Sequence, residues 1–281
     1  MKRTWKTMMI LMLVAVIAAG CGNNEAGSNT AGNNGGENAQ QEVTLKVASL
    51  IPPMTDILDI AKPLLKEEGI NLEVVILSDN IQPNAALANK EVDANFFQHV
   101  PYMEEYNQNN GSELVAVQPI YNAVYGAYSK KYKTLEELPE GATIAIANDP
   151  TNIGRSLVMF EKNGLIKLKE GVGIQATQAD ITENPHNYKF EEVDLLMLAR
   201  TLDDVDLVAM TPAYASPLGL TPKKDALLTE GDDSAFTITM VARADNADSE
   251  PIQKLAKAMT SPEVKQFLAE NYDEIALPAF E

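Results

Sequence analysis

Apolar and polar residues after residue 42 follow two alternating periods, one typical of strands and one typical of helices. Residues 43–50 are rich in β-branched side chains and partly alternate, which predicts a strand. Over residues 56–68 the apolar side chains fall on one helical face, which predicts a helix. We expect Thr55 to cap this helix, Pro63 to kink or shorten it, and Gly69 to end it.

The same alternation continues to the end of the chain. Further strands are predicted at residues 72–77, 92–97, 114–119, 143–147, 207–211 and 237–245. Further helices are predicted at residues 84–90, 101–107, 154–163, 251–259 and 262–271. Strands that alternate with helices imply a parallel sheet flanked by helices, so the pattern predicts the α/β class.

The first 21 residues have the pattern of a secretory signal. Three basic residues among the first six precede an apolar run over residues 8–20. This run is too short to span a bilayer, which takes about 20 apolar residues. Small residues at 18–20 precede Cys21, so the segment resembles a bacterial lipoprotein box in which Cys21 takes lipid and becomes the new N-terminus. The alternative is a plain secreted protein whose cysteine is incidental.

Composition restricts the partners of the mature chain. Residues 22–41 contain no Val, Ile, Leu or aromatic residue, so we expect residues 21–42 to form a lipidated, disordered linker after a signal peptide at 1–20. Residues 1–20 hold three of the 22 basic residues and none of the 40 acidic ones, so the mature net charge is −21. Such a surface repels phosphate backbones, which argues against nucleic acid as a partner.

Residues 148–157 form the strongest candidate site for an anion. A strand runs into a polar turn, and the turn opens a helix with Arg155 in its first turn. Unpaired N–H groups favour an anion there, Arg155 offers a fork that fits a carboxylate, and Asn152 supplies a donor or an acceptor. Without a Gly-rich phosphate loop, a small acid suits this turn better than a nucleotide. Alternatively, Asp149 or Thr151 merely caps the helix and Arg155 pairs with a surface acid.

Aromatic residues cluster at residues 92–106. Phe97, His99 and Tyr102 can line a slot for a flexible apolar or thioether side chain, because sulfur packs favourably on aromatic rings. The alternative is ordinary core packing. Strand alternation favours that alternative for Phe96, because it places Phe96 opposite Phe97.

Residues 121–131 hold three tyrosines, among them Tyr125 and Tyr128. This segment either crosses between two lobes or forms an ordinary half-buried strand. Signatures of enzymes are sparse, because the chain has two histidines and one cysteine and lacks HExxH and GxSxG patterns. The acids at Asp203, Asp204 and Asp206 fit a solvated surface better than a reaction centre. We therefore predict no catalytic residue, no metal site and no cofactor.

Six stretches of the chain together resemble the methionine-binding lipoprotein (MetQ/NlpA-like) family, the substrate-binding subunits of bacterial ABC importers. The resemblance covers about residues 43–258. It is carried by residues 78–102, 128–131, 137–157, 162–173, 183–185 and 202–207. Several of these stretches are long, so together they are far more specific than any short pattern.

The resemblance implies an α/β, two-lobe, type II periplasmic-binding-protein-like fold that closes on a ligand in the cleft between the lobes. Lobe 1 would comprise residues 43–127 and 238–281, and lobe 2 residues 128–237. The resemblance also implies delivery of the ligand to a permease with two membrane and two ATPase subunits. The protein would be extracytoplasmic and held at the cell membrane by the lipid on Cys21.

The family's aromatic-plus-histidine stretch and the tyrosine before Ser-Lys-Lys line the pocket for the amino-acid side chain. By resemblance, this role falls on Phe97, His99, Tyr102 and Tyr128. The family's arginine that holds the ligand carboxylate falls on Arg155, with Asn152 beside it.

Two positions depart from the family pattern. Thr211 stands where an asparagine is expected to grip the polar groups of the amino acid, while the neighbouring Tyr214 matches. Thr211 is shorter, and an unpaired ammonium in a closed cleft costs about 1–3 kcal/mol. Tyr125 stands where a methionine-like residue is expected, which would shrink the pocket or make it more polar.

The sequence therefore favours a binding protein for a small amino acid, methionine first, in which no bond is made or broken. A different amino acid or a dipeptide is an alternative ligand within the same importer class. A surface lipoprotein with an adhesive or signalling role is an alternative of another class. A secreted hydrolase that uses the acids at residues 203–206 is a third.

Overall fold

The computed structural model describes residues 43–231 and 235–281. The predicted signal peptide, Cys21 and the predicted linker lie outside the described residues. In chain order the strands are β1 (Val43–Ser49), β2 (Ile70–Ile76), β3 (Ala94–His99), β4 (Leu114–Ala123), β5 (Gly126–Tyr128), β6 (Thr143–Ala147), β7 (Lys167–Leu168), β8 (Ile181–Glu183), β9 (Lys189–Val193), β10 (Leu207–Met210), β11 (Ala226–Thr229), β12 (Ile238–Arg243) and β13 (Ala276–Pro278).

The α-helices lie between these strands. They are α1 (Met54–Glu67), α2 (Gln82–Ala88), α3 (Val100–Asn110), α4 (Pro150–Lys162), α5 (Pro212–Ala215), α6 (Pro222–Asp225), α7 (Glu250–Met259) and α8 (Pro262–Asn271). Short 3-10 helices cover Leu135–Glu137, Gly173–Gln175, Gln178–Asp180, Leu195–Asp203 and Ser216–Leu218. Every strand and helix predicted from the pattern has a counterpart here, with ends shifted by a few residues.

The larger sheet, which with its helices we call lobe 1, has the strand order β13-β4-β12-β3-β1-β2. Strand β1 pairs in parallel with β2 and β3, whereas β12 is antiparallel to both β3 and β4. Strand β13 is also antiparallel to β4, so the expectation of a parallel sheet is wrong for three of the five strand pairs in this sheet. The reason is that β12 follows all strands of the smaller sheet in the chain and then lies between β3 and β4, antiparallel to both.

The smaller sheet, the centre of lobe 2, has the strand order β11-β5-β10-β6-β9. Strands β10 and β9 run parallel to β6, and β5 is antiparallel to β10 and β11. The chain passes from lobe 1 to lobe 2 between Ala123 and Gly126 and returns between Thr229 and Ile238. The expected boundary after residue 127 falls inside β5, whose residues pair wholly within lobe 2.

Helix α1 differs from its prediction at its start and at its proline. The helix begins at Met54, so Thr55 lies in its first turn and does not cap it. It also continues past Pro63, so the expectation that this proline shortens the helix is wrong. Pro63 lies on the exposed side of α1, where water can satisfy the carbonyl that loses its intrahelical donor. Gly69 ends the helical segment as expected, with φ of +77° and its N–H donating to the Lys66 carbonyl at 3.1 Å.

Each lobe is held by two clusters of buried apolar side chains. In lobe 1 the larger sheet packs on α1, α7 and α8, and Phe96 is fully buried there at 6.1 Å from the ring of Tyr121, which confirms its predicted core role. In lobe 2 apolar side chains cover both faces of the smaller sheet. Among the described residues, no helix combines the length and the apolar character that crossing a membrane requires.

Candidate ligand-binding site

A cavity of about 50 Å³ lies between the two sheets. Both lobes line it, since Phe97 and Ile238 come from strands of lobe 1 and Thr211 follows a strand of lobe 2. The full lining is Leu50, Met54, Asn80, Phe97, Gln98, His99, Tyr102, Tyr121, Ala123, Asn152, Leu195, Thr211, Ala213, Tyr214 and Ile238. The lining includes no Asp, Glu, Lys or Arg, so the wall itself is uncharged.

The lobe 1 wall of the cavity is aromatic. The rings of Phe97 and Tyr102 meet edge to face with centroids 5.8 Å apart. The Tyr102 hydroxyl donates to the Asn80 carbonyl at 2.9 Å and accepts from the Asn80 side-chain amide at 3.3 Å. Burial raises the pKa of Tyr102, and the negative charge of Asp149 adds to that shift. The wall therefore offers ring surface with a neutral hydroxyl.

His99 connects the two lobes across the cavity. It caps α3, because its Nδ1 accepts from the Tyr102 backbone N–H at 3.2 Å. That bond leaves the proton on Nε2, which lies 3.4 Å from Oδ1 of Asn152 and donates to it. Burial lowers the pKa of His99 to about 3, and the charge of Arg155 adds to the shift. The ring is therefore neutral at physiological pH.

We expect the free energy of unfolding to fall as the pH drops from 6.5 towards 3. In that range the unfolded chain binds a proton on His99 that the folded chain excludes, so stability present above pH 6.5 is progressively lost. Between pH 6.5 and about pH 4 the loss from this group is about 3 kcal/mol.

Urea unfolding of the wild type and of His99→Asn over this pH range measures the effect. Asparagine keeps the helix cap but does not titrate, so the pH slope of the variant should be smaller. His186→Asn is the matched control, because that ring lies at the surface, stacked on Tyr188. Equal slopes for wild type and His99→Asn would contradict the prediction.

The polar turn before α4 is built around Asp149. Its carboxylate accepts from the backbone N–H of Asn152 at 3.0 Å and from the Thr151 hydroxyl at 2.9 Å. The Asn152 side-chain amide also donates to both carboxylate oxygens, at 3.1 and 2.9 Å. Asp149 is thus the helix cap, as one of the two interpretations predicted. It fixes the Asn152 side chain with its oxygen towards His99.

Helix α4 begins four residues earlier than predicted, so Arg155 lies in its second turn. The side chain is 1% exposed and pairs with Glu230, whose side chain is 8% exposed. Nε of Arg155 donates to Oε2 of Glu230 at 2.8 Å, and Nη2 donates to Oε1 of Glu230 and to the Ala123 carbonyl. The guanidinium lies 4.4 Å from the ring centroid of Tyr125 and 4.6 Å from that of Phe236. Arg155 does pair with an acid, but a buried one.

The guanidinium of Arg155 lies one layer behind the cavity wall. Ala123, which accepts from it, lines the cavity, and Phe236 contacts the cavity residue His99 with ring centroids 4.9 Å apart. Within residues 43–231 and 235–281, Nη1 of Arg155 is buried and has no hydrogen-bond partner. Nε and Nη2 of the guanidinium therefore have acceptors among the described residues, and Nη1 does not.

The partners of Arg155 lie on, or at the edge of, the two segments that connect the lobes. Tyr125 belongs to the first connection, whereas Glu230 and Phe236 belong to the second. The segments also bond each other, because the Glu230 N–H donates to the Tyr125 carbonyl at 3.0 Å and the Tyr125 N–H donates to Oε1 of Glu230 at 3.3 Å. The arginine thus fastens both connections to α4 of lobe 2.

The structure brings six of the predicted site residues into the lining, namely Phe97, His99, Tyr102, Asn152, Thr211 and Tyr214. Arg155, Tyr125 and Tyr128 are outside it. Tyr125 packs in lobe 2, where its hydroxyl lies 2.8 Å from the hydroxyl of Ser156 and donates to the Ala209 carbonyl at 3.0 Å. Tyr128 is 1% exposed on the other face of the lobe 2 sheet, because β5 points alternate side chains to opposite cores.

Two of the acids at residues 203–206 pair with lysine side chains. Asp203 pairs with Lys130 at 2.9 Å, and Asp206 accepts from the Thr143 N–H at 2.9 Å and pairs with Lys131 at 3.3 Å. Within the part of the chain that the structure describes, no three His, Cys, Asp or Glu side chains are placed to hold a metal ion.

Residues 45–280 match the family model described as NlpA lipoprotein. The chain belongs to the NlpA lipoprotein family. A curated relative from Salmonella typhimurium, named D-methionine-binding lipoprotein MetQ, is 38% identical over 256 residues, which cover 90% of this chain and 89% of the relative.

Solved structures extend this NlpA-family likeness to the fold. A nutrient binding protein from Burkholderia cenocepacia, bound to methionine, has a TM-score of 0.81 and 38% identity, covering 84% of this chain and all of that one. An ABC transporter periplasmic substrate-binding protein from Coxiella burnetii has a TM-score of 0.80 at 38% identity, covering 84% of this chain and all of that one. The α/β chain has the two-lobe fold of these binding proteins.

In this NlpA-family chain, sequence reasoning missed two groups at the site. Glu230 and Phe236, which hold Arg155, lie in a polar stretch between two strands that carries no motif. Ile238 and Asn80 also line the cavity. In the sequence, Ile238 resembles any other strand residue and Asn80 any other loop residue. The sequence carries no direct signal for Glu230, because the need for a nearby acid arises only once Arg155 is seen to be buried.

Proposed function

We propose that this protein is the extracytoplasmic substrate-binding lipoprotein of an ABC importer and that its ligand is a small amino acid, methionine first. The lobes close on the ligand, and no bond is made or broken. Membership of the NlpA family and the names of the relatives support this class. The observation that carries the proposal is the aromatic cavity between the lobes, because the lining residue Ala123 accepts a hydrogen bond from the guanidinium of Arg155, whose Nη1 has no partner among the described residues.

The side chain of the ligand would lie against the lobe 1 wall. Phe97 and Tyr102 present ring faces and edges there, and Leu50, Met54 and Ile238 complete an apolar surface. A thioether gains about 0.3–1.5 kcal/mol from each contact with an aromatic ring. This wall therefore supports an unbranched sulfur-containing side chain.

The polar head of the ligand would lie on the lobe 2 side. Asn152, Thr211 and Tyr214 line that side, and a carboxylate oxygen would give Nη1 of Arg155 the acceptor that it lacks. A buried donor without a partner costs about 1–3 kcal/mol, so pairing it favours the carboxylate-bound state.

Isothermal titration of the ligand-stripped mature domain tests the proposal. The panel is L-methionine, D-methionine, norleucine, leucine and glycyl-methionine. We expect methionine to bind and norleucine, which has the same length without sulfur, to bind about 2- to 10-fold more weakly. Phe97→Leu should reduce that ratio, because it removes the ring while keeping an apolar wall.

Tighter binding of another amino acid or of the dipeptide would change the identity of the ligand, but the protein would remain a binding protein of the same importer class. If no member of the panel binds, the methionine assignment fails. We propose that a permease and an ATPase are the partners and that lipid on Cys21 holds the protein at the membrane. The lipid anchor has its own test. Palmitate labelling that survives Cys21→Ser would reject the anchor.

A further inference from the structure

The charged groups next to the cavity lining are, among the described residues, one buried guanidinium and two carboxylates, so negative charge exceeds positive charge there. Arg155 is the cation, and Glu230 takes the Nε and Nη2 side of its fork. A second carboxylate, Asp149, lies behind the cavity residue Asn152, whose amide donates to it at 2.9 Å. The other titratable groups that line the cavity are His99, Tyr102, Tyr121 and Tyr214, and all are neutral at pH 7 because burial disfavours their charged forms.

A ligand carboxylate at Nη1 of Arg155 would therefore not enter a positively charged site. The charge of Arg155 is already balanced by Glu230, whose carboxylate is held beside the same guanidinium. A ligand with a carboxylate alone would add a third negative charge to two carboxylates and one guanidinium. A zwitterion would bring its own positive charge and leave the local sum unchanged.

We propose that Glu230 determines the charge specificity of the cavity, so that the site accepts zwitterions and rejects simple carboxylates with the same side chain. This inference rests on the proposed function and deepens it. Glu230 does not line the cavity and acts through Arg155. It neutralises the guanidinium and fixes its orientation, so that Nη1 is the donor left over.

The affinities of three ligands that share the same thioether side chain separate this role of Glu230 from a merely structural one. They are L-methionine, 4-(methylthio)butanoate, which lacks the ammonium, and L-methioninamide, which lacks the carboxylate. For the wild type we expect methionine to bind at least 100-fold more tightly than 4-(methylthio)butanoate. In Glu230→Gln, which keeps the shape but removes the charge, this ratio should fall at least tenfold and methioninamide should bind more weakly.

Glu230→Asp is the matched control. It keeps the negative charge on a shorter stem, so the ratio between the ligands should stay within threefold of the wild-type ratio even if every affinity falls. A Glu230→Gln variant that weakens all three ligands by one common factor would overturn the proposal. Such a result would mean that Glu230 only holds the fold of the site.

The wild-type protein alone also tests the proposal, should Glu230→Gln fail to fold. Binding of 4-(methylthio)butanoate as tight as that of methionine would overturn it. In ¹⁵N-labelled wild type the Arg155 Nε–H resonance, assigned by its loss in Arg155→Lys, should keep its position when methionine is added, because Glu230 stays bound. A large shift would mean that the ligand displaces Glu230. If the wild type binds none of the three ligands, the methionine assignment of the proposed function fails, and the charge-specificity proposal, which rests on it, fails with it.

Discussion

Arg155→Ala will show no thermal shift with methionine. The substitution removes the donor that we assign to the ligand carboxylate, and a hydrogen bond to a charged group contributes about 1.5–3 kcal/mol, or about 10- to 100-fold in affinity. It also leaves the Glu230 carboxylate buried without its cation, which costs about 3–5 kcal/mol of folding free energy. We expect both a lower melting temperature and lost binding, measured by calorimetry and by titration below the new transition.

Arg243→Ala is the matched control for this variant. Arg243 is another largely buried arginine, which donates to the Leu87 and Val92 carbonyls at 3.2 and 2.8 Å and pairs with Asp245 at 2.9 Å. It lies in lobe 1 outside the cavity lining, so its loss should lower stability and leave the methionine shift intact. If Arg155→Ala still responds to methionine as the wild type does, Arg155 has no part in the site.

Gly154→Ala will destabilise the protein by about 2–3 kcal/mol, the upper part of the range for overpacking. A Cβ on Gly154 would lie 1.9 Å from the carbonyl oxygen of Ile174 and 2.6 Å from its carbon. These are backbone atoms of the 3-10 helix Gly173–Gln175, which cannot move aside as a flexible side chain would. The clash outweighs the gain of about 1 kcal/mol that alanine brings over glycine within a helix.

The same substitution should weaken methionine binding, because Gly154 lies between Asn152 and Arg155 on α4. Urea unfolding gives the stability, and titration gives the affinity. Gly164→Ala is the comparison, since Gly164 follows α4 with φ of +74° and an added Cβ meets no atom within 4 Å. We expect that variant to lose about 1–2 kcal/mol through backbone strain and to keep its affinity. A Gly154→Ala variant as stable as the wild type would contradict the packing argument.

The regular elements were predictable because each carries a local signal. Strand Thr143–Ala147 is a run of apolar and β-branched residues, and the α7 and α8 helices begin at Ser-x-Pro or Ser-Pro sequences that favour a helix start. The predicted start of α4 is four residues too late, because Asp149 and Pro150 look like part of the polar turn, whereas proline favours the first helical position. The direction of β12 was not predictable, because nothing in its own residues indicates that it will lie antiparallel between β3 and β4.

The candidate site, too, was predictable only where its residues carry a local sequence pattern. The aromatic segment around Phe97 and the turn around Asn152 have dense local patterns, and both contribute to the cavity lining. Tyr125 and Tyr128 share one short segment with no sign of which face each would take, and the structure places both in lobe 2 cores. The Arg155–Glu230 pair joins residues 75 positions apart, a distance over which sequence pattern carries no information.

The late position of β12 has a consequence for the order of folding during synthesis. This strand lies between β3 and β4 in the lobe 1 sheet, yet it follows the whole of lobe 2 in the chain. A nascent chain that has emerged only as far as residue 230 therefore has a gap in the centre of its first sheet, with two hydrogen-bonding edges exposed. Lobe 2 can close from a continuous stretch, so the half made second should be the first to become protease-resistant, and the half made first should depend on the last fifty residues.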